Sequence, residues 1–273
     1  MKNQITLSLT TVAVLLAMAS GASAYNITIN DLQNPNSSHW GAAGVGRGGE
    51  DQESEPGTAS GQVWDLEAFT IKNNKLTIYS GFNFLTGVTP YGIGDLFIDA
   101  DGGSNWQPGT DNAINGASDN SKFKFDYVLH FTGRVGTTVS GAYDVYKLNG
   151  DASEVLLETK FKSGSNPWVY VPGRTSKAVA SGTIAPVANT SWSVTLDDGS
   201  KVVGGTVKTP HYIIPVDLSF MAGEISGKTL FKITQECGND SLIGRVSDGG
   251  ATLALLGAAM SGLSMVVRRS RKS

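Results

Sequence analysis

Between residues 62 and 245 the chain alternates polar with apolar residues in short runs, and this period of two dictates what it can fold into. Side chains two apart share one face of a strand, so such runs build sheets and cannot build amphipathic helices, whose period is 3.6. Eleven runs read this way: VWDLEAFTI, KLTIYSGFNFL, DLFID, KFKFDYVLHF, YDVYKL, EVLLETKF, WVYV, SWSVTL, KVVGGTVK, HYIIPVDLSF and KTLFKITQ. In KFKFDYVLHF the pattern puts Phe123, Phe125, Tyr127 and Leu129 on one face and Lys122, Lys124 and Asp126 on the other. NNK, LNGD and DDGS lie between runs and read as turns. The 34 glycines fit many such turns. No solenoid or propeller repeat is visible. The expectation is an all-β fold, an antiparallel β-sandwich of jelly-roll type, over 62–245.

The two ends follow different rules. Lys2 precedes the apolar run ITLSLTTVAVLLAMA, and Ala22 and Ala24 are the small residues that a signal peptidase reads. Residues 1–24 are thus expected to be a signal helix removed on export, leaving Tyr25 first. Residues 25–61 are polar, Gly-rich and loop-like. Gly44, Gly46 and Gly49 lie there, but Pro56 and an acidic run follow instead of a helix, so no dinucleotide loop is expected.

At the other end, Ala251–Val267 carries no charge over 17 residues, and Arg268, Arg269, Arg271 and Lys272 follow at once. A span of that length is near the lower limit for crossing a bilayer as a helix. Basic residues stay on the cytoplasmic side, which leaves the main domain outside the inner membrane. Residues 251–267 are therefore expected to form a transmembrane helix. Taken alone, this pattern equally describes a permanent tail anchor.

The order Val246, Asp248, Gly249, Gly250, then an apolar span, then an Arg cluster resembles the PEP-CTERM class of sorting signals, in its Val-Pro-Asp variant. Ser247 stands where that variant has Pro. The resemblance covers 246–273. It implies recognition and removal of the tail by an exosortase, a membrane-embedded protease, in a Gram-negative cell that makes exopolysaccharide. It also implies a cell-surface or matrix destination. WDLEAF (Trp64–Phe69), GDLFIDADGG (Gly94–Gly103) and ITQECGNDSLIG (Ile233–Gly244) are similar to segments of surface proteins that bear such tails. In those proteins a Cys-Gly-Asn-Asp stretch often closes the domain. The resemblance implies a class and a location, with a structural or adhesive role, and no reaction.

Charge and cysteine content exclude other classes. The segment Tyr25–Val246 holds 16 basic and 23 acidic side chains, a net charge of −7. Nucleic acid is not an expected partner, since phosphate binding needs a basic face. Cys237 is the single cysteine, so no intramolecular disulfide can form, and it is expected to be a small packed residue or an intermolecular cross-link.

No residue set with workable catalytic spacing is evident, and no enzyme activity is expected. His39, His130 and His211 are dispersed, and His130 is expected on an exposed strand face. Asp65 and Glu67, two apart, are expected to share a solvated strand face. Paired carboxylates can hydrolyse glycosides, but only across a cleft at a set separation. A carbohydrate-binding or carbohydrate-active sandwich is the alternative reading. Asp99 and Asp101, with Asp95, Ser104 and Asn105 nearby, offer oxygens at alternating positions that suit calcium, or an Asp-stabilised turn. No cofactor other than calcium is expected. Trp40, Trp106 and Trp168 sit in loop-like settings and could form a sugar platform or pack in the core.

Overall fold

The computed structural model describes residues 25–27, 62–104, 116–161, 165–189, 192–195, 201–204 and 211–246. Ala22 and Ala24, Trp40, Trp106, Asn105, the 44–49 glycines and all of the tail from 247 onward lie outside the described residues, as does the expected span 251–267. No described helix is long and apolar enough to cross a membrane.

Strands account for just under half of the described residues, and helix is confined to single turns. In order the chain runs β1 (Tyr25–Ile27), β2 (Leu66–Lys72), β3 (Lys75–Ser80), β4 (Leu96–Asp99), β5 (Ala117–Asp119), the short helix α1 (Asn120–Phe123), β6 (Tyr127–Phe131) and β7 (Ala142–Lys147). It continues through β8 (Val155–Leu157), β9 (Val169–Val171), β10 (Ala178–Thr183), β11 (Val187–Asn189), β12 (Trp192–Thr195) and β13 (Lys201–Gly204). It closes with β14 (His211–Asp217), β15 (Leu230–Thr234) and β16 (Ser241–Arg245). All pairings are antiparallel. One sheet is ordered β1-β2-β3-β14-β11, and a second β10-β7-β6-β4-β15-β16. A third, β5-β8-β9, has three strands, and β12-β13 form a hairpin.

The period of two sorts the side chains. Phe69, Ile71, Leu76, Ile78, Ile214 and Val216 of the five-stranded sheet share one core with Leu96, Ile98, Leu129, Val145, Phe231 and Ile233 of the six-stranded sheet. Phe69 and Phe231 meet across it with centroids 6.2 Å apart. The intervening residues Phe97, Val128, Leu230 and Ile243 leave the opposite face of the six-stranded sheet, and they are buried too. There they pack with Leu156 of β8, Tyr170 of β9, Phe123 and Phe125. The six-stranded sheet is thus covered on both faces over most of its width.

Local chemistry accounts for the connections. Asn73 and Asn74 take positive φ (51° and 57°) in the two-residue turn joining β2 to β3, the conformation such hairpins require. KFKFDYVLHF is not one strand, as its alternation suggests. Asp119 caps α1 by accepting the Ser121 N–H, and Lys124 ends it in the left-handed region at φ 59°. The side chain of Asn120 then binds both the N–H and the C=O of Phe125. Phe123 and Phe125 consequently join the second cluster, while Tyr127 and Leu129 join the main core. The stretch 25–61 also departs from its loop-like reading at its start. Tyr25–Ile27 pairs with β2 at the sheet edge, Tyr25 opposite Ile71.

Phe231 is fully buried between the two large sheets. Phe231→Ala is expected to cost about 3–5 kcal/mol, read as a lowered urea midpoint at unchanged slope.

Candidate functional site

Among the described residues, three groups of polar side chains at or under the sheet surfaces bear on the expected sites. The first is the expected calcium loop. β4 ends at Asp99, and β6 pairs with it in a register that puts Tyr127 opposite Ile98. Continuing that register sets Asp126 against Asp99, and one oxygen from each of Asp99, Asp101 and Asp126 lies within 4.8 Å of the others. Asp126 was not anticipated; pairing DLFID with DYVLHF in antiparallel register is the signal that would have found it. Most of these oxygens already accept backbone N–H groups. Asp99 Oδ1 accepts from Gly102 and Gly103, and Oδ2 from Ser104. Asp126 Oδ2 accepts from Ala100 and Asp101, and Asp101 Oδ1 from Gly103. The Ser104 hydroxyl donates to the Phe123 carbonyl. Burial and the neighbouring Asp101 and Asp99 charges push the Asp126 carboxyl up, against the pull of its backbone donors. Chemically, this is how a tight turn is closed by Asp side chains, and a cation would have to compete with those donors.

The second group corrects the expectation for Asp65 and Glu67. Neither is on a solvated face: they are 1% and 5% exposed. β2 begins only at Leu66, and its register shifts between Leu66 and Ala68, so the simple two-apart geometry fails. Glu67 Oε1 lies 2.6 Å from Nδ1 of His211, itself fully buried. The neighbouring backbone is tied to the CGND stretch. The Leu66 N–H donates to Asp240 Oδ2 at 2.6 Å, and Gln235 Nε2 donates to the Trp64 carbonyl at 2.5 Å. Gln235 Oε1 accepts the Asp240 N–H at 2.7 Å. Cys237 is buried here as a packed residue, and burial pushes its thiol up to about 11, far from a reactive thiolate.

The third group centres on Asp95, which lies apart from the Asp99 cluster. It is fully buried at the head of β4. Its Oδ1 accepts the Phe131 N–H at 3.1 Å, and its Oδ2 accepts the Tyr170 N–H at 2.9 Å. Oδ2 also lies 2.8 Å from His130 Nδ1, and Arg134 Nη2 lies 3.6 Å from Oδ1. Arg134 donates to the Ile93 carbonyl at 2.6 Å and covers the Trp168 ring at 5.2 Å. Trp168 is therefore buried packing and no sugar platform. His130 is likewise no simple exposed strand residue: its side chain is 20% exposed and held by Asp95. Burial alone lowers its pKa, but the hydrogen bond and charge of Asp95 outweigh that and raise it above the ordinary 6.5. The His130, Tyr146 and Tyr170 rings sit together, with centroids 6.3, 6.5 and 5.3 Å apart.

Comparison of the chain with known protein families, with characterised proteins and with solved structures finds no match.

Two outcomes follow from this chemistry. A group whose pKa is raised on folding stabilises fully below its unfolded value and loses that contribution as pH rises through the folded value. The stability advantage of wild type over His130→Gln should therefore be largest below pH 6.5 and shrink above it, which denaturation midpoints taken across that range will read. For the Asp99 loop, a calcium site filled at a hundred times Kd would add about 2.7 kcal/mol. With the donors already engaged, calcium is expected to leave the melting temperature of both wild type and Asp101→Asn unchanged.

Proposed function

We propose that this is an exported surface or matrix protein, structural or adhesive in role and associated with exopolysaccharide. Its fold is read as a jelly-roll-like β-sandwich made by the five- and six-stranded sheets. The observation that carries the functional reading is the three-part tail: Val246, Asp248, Gly249 and Gly250, then an uncharged span, then Arg268, Arg269 and Arg271. The sequence Ala22-Ser23-Ala24 supplies the matching export signal. The proposed partners are signal peptidase and an exosortase-like protease, with the inner membrane as a temporary hold.

The site chemistry supports a scaffold over an enzyme. Asp95, Asp99 and Asp240 each accept at least one backbone N–H. A carboxylate committed in this way is a poor general base, because proton uptake would cost it those bonds. Polysaccharide hydrolysis by the purified protein, abolished by Glu67→Gln, would contradict this reading.

The fold also bears on where the tail would be cut. Val246 is 2% exposed within the main core, and its N–H donates to the Thr229 carbonyl at 2.8 Å. Cleavage before it would remove a buried side chain. The intact mass of the mature protein is expected to correspond to a chain beginning at Tyr25 and ending after Val246 but before Ala251. A full-length C-terminus confined to the inner membrane, in cells that have an exosortase, would leave a plain tail anchor.

A further inference from the structure

We propose that the outer face of β6 and β7 binds a neutral glycan chain through Tyr146, Asp144 and His130. That face of the six-stranded sheet is covered from β16 across to β6, by the cluster that holds Ile243, Leu230, Phe97 and Val128. At β7 the cover ends. Asp144 and Tyr146 are half-buried there, and beyond them on β10 Ser181 and Val179 are exposed. The strand register sets Asp144 directly opposite His130. The ring of Tyr146 lies beside His130 and packs on Tyr170.

This shelf has the composition that a sugar requires. The partly exposed rings of Tyr146 and His130, backed by the buried Tyr170, offer an apolar surface to the C–H face of a pyranose, while polar groups beside them meet its hydroxyls. Among the described residues, the Asp144 carboxylate, the Tyr146 hydroxyl and His130 Nε2 make no protein hydrogen bond. A carboxylate accepts, and a phenol and an imidazole nitrogen accept or donate, so together they can serve adjacent hydroxyls. The shelf is also held in place beforehand. Asp95 fixes His130 through Nδ1, and Ser176 Oγ holds the Tyr170 hydroxyl at 2.9 Å. Groups positioned before binding lose little freedom on binding.

Charge selects a neutral chain. Arg134 and His130 answer the buried Asp95, whereas Asp144 faces outward with no ion-pair partner among the described residues. An anionic polymer would meet that carboxylate, which His130 opposite it offsets only in part because the imidazole is already paired with Asp95. The site rests on this geometry; only its natural source, a matrix polysaccharide, rests on the functional reading above.

The test is affinity electrophoresis of the full-length chain, purified in mild detergent, through native gels containing dextran, galactomannan or glucomannan, with alginate as the anionic polymer. At least one neutral polymer is expected to retard the protein, and alginate is not. Tyr146→Ala and Asp144→Asn should each weaken the retarding interaction about tenfold or more. Tyr146→Phe, which keeps the ring, should retain part of it. Phe161→Ala, which alters a ring that is 59% exposed elsewhere on the surface, should leave retardation unchanged. Melting curves confirm that each variant is folded. Retardation by none of the neutral polymers, or stronger retardation by alginate, overturns the site. Retardation undiminished in both Tyr146→Ala and Asp144→Asn overturns it as well. The surface-protein reading fails separately, on the mass of the mature chain.

Discussion

From β16 across to β6 the six-stranded sheet is buried on both faces, and most of the polar architecture answers that constraint. A strand covered on one side can send alternate residues to water. Here the alternate residues of β4 and β15 meet a second apolar layer, and a charge left there without partners would cost several kcal/mol. The chain instead uses these charges to hold the covering layer down. Asp95 accepts the Tyr170 N–H, and its own N–H donates to the Trp168 carbonyl. Lys232, fully buried, donates to the carbonyls of Ser165 and Pro167 and lies over the Phe97 ring. Asp99 gathers the N–H groups of the turn that leaves β4. Polar residues on the outer face thus take the place of a regular ladder between the sheet and its cover.

The three stretches that resemble segments of surface proteins converge in this framework. Trp64–Phe69 is tied to Ile233–Gly244 through Asp240 and Gln235. Gly94–Gly103 joins the same hairpin, with the Gly94 N–H donating to the Thr234 carbonyl and Phe231 opposite Ile98. Such a clasp has a physical reason for its residue types. A buried Asp side chain can satisfy two N–H groups at once, as Asp240 does for Leu66 and Ser241, and leaving either unmet would cost about 1–3 kcal/mol. Closure of the domain accounts for the residue types of this clasp.

The period of two was legible in the sequence, and so were eleven of the strands and the two-residue turn at Asn73–Asn74; β1, β5, β10, β11 and β16, short or Gly- and Ser-containing segments with weak alternation, were not. What covers each face was not. Alternation says that Asp99 and Lys232 point away from Phe231 and Ile98; it cannot say that another sheet waits there. His130 read as solvent-facing for that reason and proved half-buried, while Asp65 and Glu67 proved buried where the β2 register shifts. KFKFDYVLHF misled for a related reason. Both of its halves are amphipathic, but the capping by Asp119 and the Asn120 clasp on Phe125 break it into a helical turn and a strand that serve different cores. Asp126 was invisible as a neighbour of Asp99 until the register of β4 against β6 was known.

Strand order gives the proposed roles a spatial logic. The chain leaves the six-stranded sheet from β16, at one edge, and β10 forms the other. Neighbouring strands are about 4.8 Å apart, so β7, four places from β16, lies about 19 Å from the strand that leads into the tail. Val246 is packed in the core immediately after β16, which ties the start of the tail closely to that edge. A precursor held in the membrane by its tail would therefore keep the β16 edge nearest the bilayer and the open face of β7 and β10 farther from it. The sheet itself is asymmetric in the same sense: both faces are covered at β16, and the cover stops at β7 and β10.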